Sequence, residues 1–145
     1  MAEELILEQN PDALIIRMRL PISEYPHERN TLNKLLTYPK LNNNQETITI
    51  IEDALPVISN LIDKDAKGIY HLVNSGTVSA DKLGDLLGHP HEQITKQYQD
   101  EMLLGQGKAQ RVTTYATSTR IPPLKDLWVG DHLINVINRY NERRK

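Results

Sequence analysis

Arg29, Asn30, Asn33 and Lys34 fall at helical spacing on one side of a segment whose other side carries Leu32, Leu35 and Leu36. Guanidinium, ammonium and carboxamide groups grouped in this way are the chemistry of phosphate capture. The planar arginine fork matches paired phosphate oxygens, and lysine adds a point charge. Such an edge holds a diphosphate or is an ordinary solvated face, and composition leaves both open. His89 and His91 flank Pro90 and invite a metal reading. No third ligand stands nearby at a suitable spacing, so no metal is assigned. Gly105-Gln106-Gly107-Lys108 lacks both the spacing of a phosphate loop and a preceding strand, and reads as a turn. Zero cysteines remove disulfides, thiolate metal sites and a cysteine nucleophile. They fit a reducing cytoplasm.

Those groups need a frame, and the stretch from Thr47 to Gly76 provides the clearest one. Thr47 to Ile50 alternates polar and apolar β-branched residues, the pattern of a short half-buried strand. Glu52 and Asp53 then open a helix, where carboxylates meet the positive end of the helix dipole, and Pro56 is tolerable if it lies in that first turn. Leu55, Ile58, Leu61 and Ile62 recur at helical spacing and predict its buried face. Gly68 ends it with the positive φ that a helix C-terminus often needs. Ile69 to Val73 reads as a buried strand closed by the turn Asn74-Ser75-Gly76. A helix followed by a strand implies a crossover on a parallel sheet.

Around this unit, residues 2–9 form a helix that Asn10-Pro11 stops. The apolar run from Ala13 to Met18 predicts a strand buried on both faces. A helix is expected over His27 to Tyr38 and a loop over Pro39 to Asn44. Ser79 caps a helix over Ala80 to Leu87, with Leu83, Leu86 and Leu87 facing inward. Gly88-His89-Pro90 breaks it, and helical spacing resumes from His91 to Leu104. Arg111 to Ala116 is rich in β formers. Ile121-Pro122-Pro123 opens a last helix with Leu124, Leu127, Leu133, Val136, Ile137 and Tyr140 on its apolar face.

The order of these segments resembles the C-terminal part of the extended short-chain dehydrogenase/reductases that act on nucleotide sugars. The residues that carry it are Ile51-Glu52-Asp53-Ala54, Gly68-Ile69-Tyr70-His71, Asn74-Ser75-Gly76 and Ser79-Ala80-Asp81-Lys82-Leu83. Ile15 to Ser23 is similar to the sixth strand and following loop of the branch holding dTDP-4-dehydrorhamnose reductases and UDP-4-keto-6-deoxyglucose epimerase/reductases. Arg29 to Leu36 resembles the R-N-x-x-x-K helix of the second group. Lys82 departs from the usual glutamate and loses a capping box.

The resemblance implies an α/β chain: an incomplete Rossmann-like fold with the last parallel strands and a mainly helical substrate-binding subdomain. It implies that residues 1–145 are the substrate-binding portion of a nucleotide-sugar reductase or epimerase, with the dinucleotide-binding part upstream. Residues 2–9 are then the tail of the helix that begins with a catalytic Y-x-x-x-K pair. By their own pattern they are equally an ordinary amphipathic helix. It further implies contact of Arg29, Asn30, Lys34 and Arg111 with the sugar nucleotide, and places Pro21, Ile22 and Ser23 near the nicotinamide of NAD or NADP. The glycine-rich turn is missing, and no tyrosine has a lysine four positions on. The chain alone is therefore not expected to transfer hydride.

The alternative is a non-catalytic binding or regulatory subunit. One relative, the regulatory subunit of methionine adenosyltransferase, keeps the fold and serves a partner protein. Open sheet edges would favour a protein partner or self-association. At 145 residues and 39% hydrophobic, the chain fits one ordinary domain. A formal charge of -2 gives no case for nucleic acid, and no apolar run is long enough to span a membrane.

Overall fold

β-branched runs alternating with amphipathic ones fold into short parallel strand pairs linked by helices; the computed structural model describes residues 2–105 and 124–145. Helix α1 (Ala2–Gln9) leads to β1 (Leu14–Met18), β2 (Pro21–Ile22) and α2 (Thr31–Leu35). Then come β3 (Lys40–Asn42), β4 (Thr49–Ile50), α3 (Ile51–Asp63) and β5 (Gly68–Leu72). Helix α4 (Ala80–Leu87), β6 (Glu92–Ile94), α5 (Lys96–Gly105), a short 3-10 turn (Val129–Asp131) and α6 (His132–Arg143) complete the described elements. β1 pairs with β5, β2 with β4 and β3 with β6, all parallel. Helix α3 joins β4 to β5, but the two strands belong to different parallel pairs, so the expected crossover within one sheet is not seen among the described residues.

Leu20 takes a positive φ of 40° between β1 and β2, so the strand bends there. Thr49 repairs the bend. Its hydroxyl accepts the Arg19 N–H at 3.0 Å and donates to the Leu72 carbonyl at 2.6 Å. One buried side chain thus satisfies a backbone group at the bend and another on β5.

The first-turn carboxylates of α3 face the helix dipole and also tie down distant loops. Glu52 accepts the Ser23 hydroxyl at 2.7 Å and the Glu24 N–H at 2.8 Å. Asp53 accepts from Asn74 Nδ2 at 2.8 Å, and His132 Nε2 stands 2.6 Å away. Pro56 lies deeper than the first turn, at the sixth residue of α3, so the helix forgoes one internal hydrogen bond.

Several elements differ from expectation. On α3, Ala54 and Leu61 are buried, whereas Leu55 is 56% and Ile62 63% exposed. The small cluster of Ala54, Leu72 and Leu124 covers only one edge of the apolar stripe. Gly68 has φ 95° but opens β5, while α3 ends earlier at Lys64. β1 is half-buried rather than enclosed, with Met18 exposed. The helix at 27–38 contracts to α2, because His27 to Asn30 are used in turns that position its cap. Lys40 to Asn42 pairs with β6, so part of the asparagine-rich stretch is strand, and the helix expected from His91 starts only at Lys96. Leu124 and Leu127 are buried ahead of α6 rather than on it.

The main core gathers Ile22, Leu32, Leu35, Ile48, Ile50, Val78, Leu83 and Leu87 against Leu133, Val136, Ile137 and Tyr140 of α6. Those four α6 positions follow the helical repeat, which is why α6 is bound along one face.

Candidate functional site

A cleft of about 370 Å³ opens beside this core. Its floor is apolar, formed by Leu20, Leu35, Ile48, Val78 and Leu83. Its rim is polar and cationic. Arg19 reaches it from the bend between β1 and β2, Lys34 from α2, and Lys96 and Gln99 from α5, with Tyr38, Asn42 and Asn44 nearby.

The cations outnumber their local carboxylate. Arg19, Lys34 and Lys96 line the cleft with Glu46 as the single acidic group. Lys96 Nζ is held at 2.6 Å by Asp100, while Arg19 Nη2 keeps a distant 3.9 Å to Glu46. Among the described residues Lys34 has no carboxylate partner. The Arg19 Nε atom is buried with no hydrogen-bond partner, and such an orphaned donor carries a desolvation cost that an incoming acceptor removes. Asn42 Nδ2 donates to Gln99 Oε1 at 2.9 Å and fixes the carboxamides where β3 meets α5. An apolar floor under a cationic rim suits a ligand with a flat or apolar part and an anionic part.

The sequence-derived candidates separate in this frame. Lys34 lines the cleft; Arg29 is exposed and does not line it. Asn30 is 5% exposed and caps α2, its Oδ1 accepting the Leu32 N–H at 3.0 Å. Its Nδ2 donates to the carbonyls of Ser23 at 2.8 Å and Tyr25 at 3.1 Å, so its polar atoms are engaged inside the protein. Ile22 is fully buried, and the Ser23 hydroxyl is held by Glu52, leaving Pro21 as the partly exposed member of its trio. Arg111 and the β-rich stretch around it lie outside the described residues. Arg19 and Lys96 were missed: each stands alone in a local pattern, and only the strand bend and the start of α5 bring them together.

Sequence spacing offers no third ligand beside His89 and His91, yet the fold places Asp81 and Asp85 there. His91 Nε2 lies 2.7 Å from Asp81 Oδ1 and 3.8 Å from Asp85 Oδ1. The Asp81 hydrogen bond, helped by the His89 carbonyl, pushes the imidazole pKa above its ordinary value.

No protein-family model matches the chain. Among curated proteins, a trifunctional UDP-glucose 4,6-dehydratase/UDP-4-keto-6-deoxy-D-glucose 3,5-epimerase/UDP-4-keto-L-rhamnose-reductase of Arabidopsis thaliana is 30% identical over 101 residues, 69% of this chain and 13% of that protein. A bifunctional dTDP-4-dehydrorhamnose 3,5-epimerase/dTDP-4-dehydrorhamnose reductase of the same plant is also 30% identical over 101 residues, 30% of its own length. The matches thus span less than a third of these relatives. The crystal structure of a UDP-rhamnose synthase from Acanthamoeba polyphaga mimivirus superposes with a TM-score of 0.74 at 22% identity, covering 94% of this chain and 49% of that one. A dTDP-4-dehydrorhamnose reductase from Bacillus anthracis, solved with NADP, gives 0.58 at 14% identity, covering 88% and 47%. The structural likeness bears out the expected Rossmann-like α/β fold. The sequence matches bear out the expected kinship with rhamnose-pathway reductases and epimerases. Among the described residues no helix is long and apolar enough to cross a membrane.

Proposed function

From this homology to nucleotide-sugar enzymes of the rhamnose pathway, we propose that the chain is the substrate-binding portion of an NAD(P)-dependent reductase or epimerase acting on a 4-keto-6-deoxy sugar nucleotide. The observation that carries this reading is the cleft, where Arg19, Lys34 and Lys96 surround an apolar floor and Arg19 Nε lacks a partner. A diphosphate supplies acceptors for that donor and for Lys34. The floor and Tyr38 accommodate the base or the sugar ring. Arg111 joins the contacts, and Arg29 and Asn30 act at one remove through the loop leading into α2.

The cofactor is a separate matter. The 145 residues contain no glycine-rich turn to cradle a pyrophosphate and no tyrosine followed by lysine at the required spacing. They therefore do not form a complete NAD(P) site. Pro21, Ile22 and Ser23 approach the nicotinamide, and residues outside these 145 hold the rest of the dinucleotide and perform the acid/base step. The setting is cytoplasmic, which the lack of cysteine supports.

Calorimetric titration with UDP, dTDP and uridine tests this reading. Saturable binding of a diphosphate, absent for uridine and lost in Lys34→Ala, supports it. Equal heats from uridine and UDP would remove the diphosphate from the proposal.

A second reading, a non-catalytic subunit that binds a protein partner or itself, draws on Met18 of β1 and Leu55 and Ile62 of α3, which remain exposed. Light scattering after size exclusion separates the two. A monomer that binds UDP counts against it, and an obligate complex favours it.

A further inference from the structure

Away from the cleft, α4 and the chain entering β6 enclose a buried imidazole between two carboxylates. Asp81 and Asp85 are one turn apart on α4, so both side chains share a face, and Gly84 lies on that same face. The missing side chain at Gly84 leaves the seat for the ring. A Cβ there would stand 2.7 Å from His91 Cε1 and 2.6 Å from Leu41 Cδ1. Seated this way, the His91 side chain is only 3% exposed. One ligand atom from each of Asp81, Asp85 and His91 lies within 4.8 Å of the other two.

The surroundings orient these atoms. His91 Nδ1 is 2.7 Å from the His89 carbonyl, which only accepts, so Nδ1 keeps its hydrogen; with no ion bound Nε2–H donates to Asp81, and release of that one proton turns the Nε2 lone pair toward the carboxylates. Gln93 Nε2 donates to Asp81 Oδ2 at 2.7 Å and leaves Oδ1 facing the ring. A backbone carbonyl on the imidazole and an amide on the carboxylate are the outer contacts that metal ligands characteristically have.

We propose that Asp81, Asp85 and His91 bind a divalent first-row transition ion of the Zn²⁺ type. One imidazole nitrogen and two carboxylate oxygens suit zinc and its neighbours, whereas calcium and magnesium favour all-oxygen shells. Asp85 is 62% exposed, so solvent completes the coordination on its side. Zinc bonds of roughly 2.0–2.2 Å in a tetrahedron set ligand atoms about 3.3–3.6 Å apart, so Asp81 withdraws by roughly 0.6–0.9 Å and Asp85 moves inward. The ion would join α4 to the start of β6. Ala80 and Leu83 of α4 also line the cleft, so the same ion would stiffen one of its walls.

The test uses the whole chain, stripped with EDTA and titrated with Zn²⁺ at pH 7.5 by calorimetry, with thermal unfolding measured in parallel. A single saturable equivalent and a raised Tm are expected. Asp85→Asn, a change at an exposed carboxylate, weakens binding by at least about tenfold, since loss of an outer contact alone costs that much. His91→Gln abolishes it. Absence of saturable binding, equal affinity in Asp85→Asn, or equally tight binding of Mg²⁺ would overturn the proposal. Asp85→Asn decides the matter alone if His91→Gln does not fold.

Discussion

The Asn30 carboxamide donates to the main-chain carbonyl of Ser23 at 2.8 Å, so two residues singled out for ligand contact are bound to each other. The same side chain caps α2 and donates to Tyr25, and α2 carries Lys34 to the cleft rim. Asn30→Ala removes a helix cap and strips a partner from two carbonyls, a loss of about 2–3 kcal/mol in stability. Urea unfolding should show a midpoint lowered on the order of 1 M. A variant of unchanged stability and weaker UDP binding would make Asn30 a direct ligand contact instead.

Thr49→Val keeps the side-chain shape and deletes the hydroxyl. The Arg19 N–H and the Leu72 carbonyl then lose their shared partner at the bend between β1 and β2. The expected cost is about 1–3 kcal/mol. Because Arg19 lines the cleft, nucleotide affinity should fall as well. Thr49→Ser, which retains the hydroxyl, should recover most of both. Denaturation and calorimetry on the three proteins check this, and equal stability of the Val and Ser variants would refute it.

Arg29 and Arg19 make a direct contrast. Arg29 is exposed and away from the cleft, while Arg19 has its buried Nε unpartnered there. Arg29→Ala should leave UDP affinity within about twofold, because an exposed charge at a distance is screened. Arg19→Gln should lower it about tenfold or more, the scale of one hydrogen bond to a charged group. Binding by the wild type should also weaken with added salt. A larger loss from Arg29→Ala than from Arg19→Gln would move the diphosphate off the cleft.

Elements whose signals are local were legible in the sequence. Ser79 caps α4 through the Lys82 N–H at 3.0 Å, and Gly88 ends it at φ 69°, at the positions their residue types indicate. The buried face of α6 follows directly from its repeat. The same repeat failed on α3, because spacing identifies an apolar side but not how much of it a neighbour covers. Ala54 touches Leu72 and Leu124, and Leu55 meets solvent. β3 was hidden because Lys40 to Asn42 pairs through its backbone, which side-chain composition does not report. Arg19, Lys96 and the His91 cluster depend on elements distant in sequence meeting in space, and Gly84 matters only once the His91 ring rests on it.

Glu24 gives the chain an acid-sensitive contact. Its carboxylate is held by Arg139 Nε at 2.5 Å and Arg143 Nη2 at 3.1 Å, and Tyr25 beside it lies under the Arg143 guanidinium at 4.1 Å. The Arg139 hydrogen bond, against the opposing effect of burial, holds the Glu24 pKa below the ordinary glutamate value. A carboxyl depressed in the folded state binds its proton more readily when unfolded. Its stabilisation is therefore present above the unfolded pKa of about 4.3 and is lost as pH falls through the lower folded value. Both arginines are largely exposed, so the contribution is small and screened by salt. Urea midpoints measured across this acid range should fall more steeply for the wild type than for Glu24→Gln, and the two should converge at the acid end. Parallel pH profiles would show that the ion pair on α6 adds nothing to stability.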